Sequence, residues 1–374
     1  MLKSQRAIFG LVFGITLSFV PHISLATDDP SLFEKDGFRI HYVGNGGNCT
    51  GCEWIAIEGQ IPAEAGQYLN DFMSKNKLNG IKLYVSLDSL GGSLVGGLRL
   101  GRVIRSLHLN TKVGKTVPNE RWYTEKKGSC YSACAYAFLG GVNRIVNAGE
   151  YGVHQFYTDA LLKTPEGKVF TPIDFSQQQT LTGLLLSYVI EMGANAELVI
   201  EANKTPPTEI NTLTEKQLLA LRVKFDPEKY TPWSLEAFRN GLVIYSRSED
   251  ENKQITIFCA DGGRQAELLI AYKEMDHETL EYLQRAFAGI QKFQLLKNAV
   301  FRADTKLKAG PKGATLTVPL QKTDLDALEA DRDPYGSFQV HLDEPHVYYN
   351  AVYEGISLEN LGSSIKLMRR NCIN

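Results

Sequence analysis

The stretch IKLYVSLDSLGGSLVGGLRLGRVIRSL, residues 81–107, decides how the chain is read. Residues 81–89 begin almost wholly apolar, as a strand buried on both faces would. Gly91 and Gly92 then make a turn. Residues 94–107 set Leu94, Leu98, Gly101 and Ile104 on one helical face. Strand, glycine turn and helix in immediate succession build an α/β layer.

The same alternation extends both ways. Upstream, WIAIEGQI (54–61) is an apolar strand closed by Pro62, and 64–76 has helical spacing at Tyr68, Phe72 and Met73. Ordered structure is expected to start near Phe38, after a polar stretch. Downstream, 110–115 reads as a short strand and SACAYAFLGG (132–141) as a helix ended by a glycine pair. NRIVN and YGVHQF read as short strands. Residues 175–193 form an amphipathic helix with Leu181, Leu184, Leu185 and Tyr188 in register. A second helix stops at the prolines of 205–207, and a third follows a Thr cap.

FDPEKYTPW (225–233), with two prolines, reads as a linker. Beyond it the pattern changes to short β-type runs: GLVIYS, QITIFCA, AELLIAYK, ATLTVPL and SFQVHLDE, with one helix at 278–287. The expected organisation is an α/β domain over 27–230 and a smaller, mostly β domain over 231–374.

The 374 residues include 40 Lys+Arg and 42 Asp+Glu, a net charge of -2. That balance excludes a nucleic-acid binder driven by bulk positive charge. A hydrophobic content of 43% suffices for two cores. No internal stretch approaches the roughly 18 apolar residues of a membrane span. The N-terminus reads as a secretory signal: Lys3 and Arg6, an apolar run Ala7–Val20, then Ser24 and Ala26 before a cleavage site. An uncleaved anchor is the alternative. Loss of 1–26 removes two positive charges and takes the net charge from -2 to -4. A periplasmic or secreted location is expected.

Export changes the reading of the six cysteines. In an oxidising compartment an even count suggests disulfides. Cys49, Cys52, Cys130 and Cys134 could instead supply zinc thiolates, but no His lies at ligand spacing, and no metal is expected. Cys259 and Cys372 are expected to pair. The other four form either two local bonds or a crossed pair. Helical positions four apart strain a bond between them, so crossed bonds are expected for Cys130 and Cys134. Asn48 opens a sequon, which matters only if the source glycosylates.

Three features carry chemistry. Ser132 sits between the polar stretch RWYTEKKGSCY and an apolar helix, where the dipole and backbone N–H groups favour a nucleophile. A Ser in that place is most often an ordinary N-cap. His154 lies in YGVHQF between a glycine and aromatic residues; most such histidines are hydrogen-bonded core residues. DSLGGS (88–93) offers backbone N–H groups of the kind an oxyanion hole needs, although a lone glycine pair also makes a plain turn. No phosphate-loop or dinucleotide motif is present in the sequence.

Taken in order, IAIEGQI, VSLDSLGGSLVGGLRLGRVIR, CYSACAYAFLGG and GVHQF resemble the Clp protease proteolytic subunit and its exported relatives, of the Clp/crotonase fold. The resemblance runs from about 54 to about 226. It implies Ser132 as nucleophile, His154 as general base, and an oxyanion hole at Gly92 and Ala133, beside Gly91. The family's third member is an Asp at a helix end. The corresponding stretch IEANKTPPTEI holds none, and Asn203 falls nearest; Thr205, Glu209, Asp159 and Asp174 are rivals.

The implied function is an exported serine peptidase acting on peptides or unfolded chains, without cofactor. The alternative is an inactive module of the same fold that binds a peptide or envelope component. Acyl-thioester chemistry of the crotonase type ranks last, since an exported protein lacks a coenzyme A supply. Relatives of this fold are usually oligomers, which makes a homo-oligomer an option.

Overall fold

The structure is a computed structural model. It describes residues 29–370 apart from 50, 157–171, 239–240, 261–264, 287–290, 296–297, 302–304, 332–334 and 343–349. The proposed signal and Cys372 lie outside the described residues.

The chain starts with β1 (Leu32–Lys35), β2 (Phe38–Gly44) and β3 (Glu53–Gly59), an antiparallel meander. Order therefore begins six residues earlier than the polar stretch suggests, because Leu32 to Lys35 pair with Phe38 to His41. Trp54, Ile55, Ala56 and Ile57 are all buried, which makes β3 a central strand covered on both faces. Then follow α1 (Ala65–Lys75), β4 (Tyr84–Asp88), α2 (Leu94–Ser106) and β5 (Asn110–Val113). β3, β4 and β5 run parallel, and the sheet order β1-β2-β3-β4-β5 ends on β9 (Arg144–Ile145).

Between β5 and β9 the polar stretch forms structure that its composition does not advertise. β6 (Lys115–Asn119) and β7 (Trp122–Lys126) make a hairpin rather than a loop. It is fastened by side chains: Trp54 Nε1 donates to Thr116 Oγ1 at 2.9 Å, and Ser86 Oγ donates to Glu125 Oε1 at 2.5 Å. β8 (Cys130–Tyr131) and α3 (Ala133–Phe138) follow. β10 (Tyr151–Val153) runs parallel to β8, and β11 (Asn211–Thr212) pairs antiparallel with β10. This second small sheet joins the first where Ser89, just past β4, bridges Cys130.

α2 packs closely on α3 because its glycines leave no side chain between them. A β-carbon at Gly97 would lie 2.2 Å from the Ala133 carbonyl oxygen. α4 (Pro172–Glu191), α5 (Glu197–Lys204) and α6 (Glu215–Ala220) complete this half. Its main core is a hydrophobic cluster running from Phe38 to Val223, beside a small one of Val43, Trp54 and Ala56. Arg144 sits inside it, 2% exposed. Its guanidinium meets the carbonyls of Leu139, Gly141, Met192, Arg222 and Val223. Burial, then the neighbouring Arg105, lowers its pKa to about 9.

The second half has its own cluster, from Tyr230 to Met368. Tyr230 and Trp233, read from sequence as linker, are each 3% exposed and anchor it. One antiparallel sheet orders β12 (Ser234–Phe238), β13 (Gly241–Arg247), β14 (Lys253–Ala260), β15 (Gln265–Tyr272), β19 (Ala314–Leu320) and β18 (Lys306–Ala309). Another orders β17 (Asn298–Phe301), β16 (Gln291–Leu295), β20 (Tyr335–Leu342) and β21 (Asn350–Ser357). β15 buries Ala266, Leu268 and Ile270 on one face. The helices are α7 (His277–Ala286), α8 (Lys322–Ala330) and α9 (Leu361–Arg369); the sequence reading had only the first.

Candidate active site

The site lies where the parallel strands end and short turns take over. The turn after β4 is held by a chain of bonds. Ser89 N–H donates to the Ser129 carbonyl at 2.7 Å, and Tyr131 N–H to the Ser89 carbonyl at 3.0 Å. Gly91 N–H donates to Ser89 Oγ at 3.1 Å, and Ser129 N–H to Asp88 Oδ1 at 2.9 Å. Gly91 and Gly92 have φ of 118° and 141°, values that side chains rarely adopt. Space also demands glycine: a β-carbon on Gly91 would stand 2.7 Å from Ser132 Cβ, and one on Gly92 would stand 2.4 Å from the Ile61 oxygen.

Ser132 occupies the sharp corner from β8 into α3, with φ 58° and ψ -123°. Its N–H donates to the Gly152 carbonyl at 3.0 Å. Its hydroxyl makes no capping bond to α3. An ordinary Ser N-cap has extended backbone and an Oγ turned onto the helix N–H groups; this one has neither. Ser93, by contrast, is extended (φ -67°, ψ 119°) and its Oγ accepts from Gly96 N–H at 3.2 Å. The two serines separate the capping role from the other.

Neither Gly92 N–H nor Ala133 N–H has a backbone partner among the described residues. The bonds flanking Gly92 run from Ile61 N–H to Gly91 O and from Ser93 N–H to Ile61 O, which leaves the middle N–H turned away. Ala133 is the first residue of α3, where the N–H lacks an intrahelical acceptor.

His154 follows β10, which runs beside β8. It is 9% exposed, and burial lowers its pKa from the ordinary 6.5. Burial thus favours the neutral imidazole. Ser132, Ala133, His154, Gly91 and Gly92 all line one cleft of about 1080 Å³.

The cleft also collects residues that sequence reading passed over. Glu58, at the polar end of WIAIEGQI, lines it, pairs with Arg39 and accepts Thr116 N–H at 3.0 Å. Lys115, Tyr136 and Phe156 line it as well. A lone acid in an apolar strand was the available signal for Glu58.

Of the candidates for a third member, Glu209 lines the cleft. Asn203 does not: its side chain is exposed, while its backbone carbonyl accepts from Gln155 Nε2 at 2.7 Å. Thr205 is buried, with its hydroxyl donated to the Glu201 carbonyl at 3.2 Å and its own carbonyl accepting Gln155 N–H at 3.0 Å. The end of α5 thus grips the residue after His154 through main chain. Asp159 and the Asp174 side chain lie outside the described residues.

The cysteines correct the expectation of crossed bonds. Cys49 pairs with Cys52 and Cys130 with Cys134. The expectation treated Cys130 as helical. It stands on β8 instead, and the corner at Ser132 brings the Cα atoms to 5.1 Å, an ordinary disulfide separation. Cys259 is also disulfide-bonded, and its expected partner Cys372 lies outside the described residues.

No family model and no curated protein matches the chain. Among solved structures, the membrane-bound stomatin-specific protease 1510-N aligns over 45% of this chain and 75% of its own, at 17% identity and a TM-score of 0.32. A ClpP1 variant from Listeria monocytogenes aligns over 45% of this chain and 86% of its own, at 13% identity and a TM-score of 0.30. The first is a protease by name. At such scores the likeness carries no weight for function.

Proposed function

We propose that the chain is an exported serine peptidase built on a Clp/crotonase-like domain over 27–230, with a mostly β domain over 231–374. Ser132 is the nucleophile, His154 the base, and the Gly92 and Ala133 N–H groups the oxyanion hole. The observation that carries this reading is the Ser132 corner: a positive φ, a hydroxyl not used as a cap, and a cleft shared with a buried histidine. The parallel strands β3, β4, β5 and β9, flanked by the small β8-β10-β11 sheet, support the fold assignment.

Ser132 Oγ attacks the scissile carbonyl carbon while its proton passes to His154. The carbonyl oxygen, now anionic, is met by the Gly92 and Ala133 N–H groups. His154 returns the proton to the leaving amine, and water repeats the sequence on the acyl-enzyme. A cleft open to solvent suits peptides and unfolded chains. A fluorophosphonate probe tests the reading. Labelling that Ser132→Ala abolishes supports it; folded wild-type protein that takes no label overturns it in favour of a binding module.

A further inference from the structure

We infer that the Cys130–Cys134 disulfide is the positioning element of Ser132, and that the site forms only when the chain folds under oxidising conditions. The inference rests on Ser132 as nucleophile and adds what holds it in place. The bond spans the nucleophile itself: Cys130 opens β8, two residues before Ser132, and Cys134 is the second residue of α3. Cys130 is fixed on the strand side, its N–H donating to the Glu150 carbonyl at 2.8 Å. Its tie to Cys134 then limits Ser132 to backbone angles that keep the two Cα atoms 5.1 Å apart.

Ser132 needs such a restraint. A residue with a β-carbon leaves a positive φ of 58° when it can, and the easy escape is to rejoin the helix and cap it with its hydroxyl. α3 has only six residues and holds itself weakly. Escape would turn Oγ out of the cleft and move the Ala133 N–H with it.

Cys130 and Cys134 are both fully buried, at 0% exposure. Thiol–disulfide exchange needs in-line access to a sulfur. The bond therefore forms before the cleft closes and resists reductant afterwards. In forming, two thiols give up two protons and two electrons to a disulfide oxidant, such as oxidised glutathione, which leaves as two thiols. Cys49 is exposed, so the Cys49–Cys52 bond serves as the internal control.

The test compares wild type with Cys130→Ala/Cys134→Ala in the full chain. Two readouts are used: the rate of fluorophosphonate labelling, and amide exchange over residues 129–136. Labelling is expected to slow about 10²-fold, and exchange to rise about tenfold. Folded wild type held in dithiothreitol is expected to lose the Cys49–Cys52 bond by mass and keep its labelling rate. Unchanged exchange in the variant overturns the inference. So does a labelling rate that falls as the native protein's Cys49–Cys52 bond is reduced while Cys130–Cys134 stays intact. If wild type takes no label at all, the nucleophile reading fails, and exchange alone decides this one. Should the double alanine not fold, Cys130→Val/Cys134→Ala keeps more buried volume. If neither folds, the bond serves the fold as a whole and the positioning role is overturned.

Discussion

Two polar cavities, one in each half, are put together on opposite principles. In the C-terminal half a cavity of about 510 Å³ is lined by Tyr230, Lys253 and Glu354. Glu354 is 3% exposed on β21. It accepts from Tyr230 at 2.8 Å and Tyr272 at 2.5 Å, and pairs with Lys253 at 3.5 Å. Burial and then the Glu354 charge push both phenol pKa values well up. These groups satisfy one another. In the N-terminal cleft, the Gly92 and Ala133 N–H groups have no backbone partner among the described residues, and the Ser132 backbone is strained. Mutual satisfaction stabilises a fold; strain and outward-facing donors suit a reaction.

The sharpest break of this comparison is at the proposed nucleophile. Ser132→Ala and His154→Ala are each expected to cut peptide hydrolysis by about 10³-fold or more with the fold retained. Ser132→Gly should abolish activity too, yet raise stability by about 1 kcal/mol, since glycine accepts φ 58° without strain. Thermal melts beside a peptidase assay check both.

The mirror experiment is Glu354→Ala. It strands Lys253 and two buried phenols and is expected to cost about 3–5 kcal/mol in denaturant unfolding. Labelling at Ser132 should persist while the protein stays folded.

Two pH effects are smaller. The Tyr230 and Tyr272 pKa values are raised above the unfolded value of about 10. Their unionised form is thus favoured in the fold, and stability present below pH 10 should fall as pH rises beyond it. Urea midpoints across that range measure the loss, and Glu354→Gln should lessen it. His154 is shifted down from 6.5 by burial. If His154 is the base as proposed, the acid limb of kcat/KM should lie below pH 6.5, because burial disfavours its protonation. A limb above 6.5 would point to a facing negative charge.

The candidate cleft was legible in the sequence where one residue type fits one backbone position. Gly91 and Gly92 stand out because the corner tolerates no side chain, and Ser132 because a helix start follows it. Asn203, a polar residue near the right place in sequence, projects into solvent, while its carbonyl accepts from Gln155 Nε2. Carbonyl contacts leave no trace in residue type. The hairpin of β6 and β7 was hidden for a similar reason. Its strands are charged, and Trp122 remains half exposed, so nothing alternates. The disulfide pairing depended on Cys130 being strand, which a run of two residues cannot announce. α8 and α9 were missed because short amphipathic helices lie between strands in a half whose pattern reads as β.

Arg144 bears on the order in which the molecule assembles. The carbonyls it gathers belong to the end of α3, the end of α4 and the turn after α6, positions 139 to 223 along the chain. Arg105 reaches several of the same oxygens from α2. A guanidinium so placed has its acceptors only after all three helices have docked, so its bonds close late on the folding path. Truncating it should then leave the refolding limb of a chevron almost unmoved and steepen the loss on the other side: the protein would come apart faster without being slower to form.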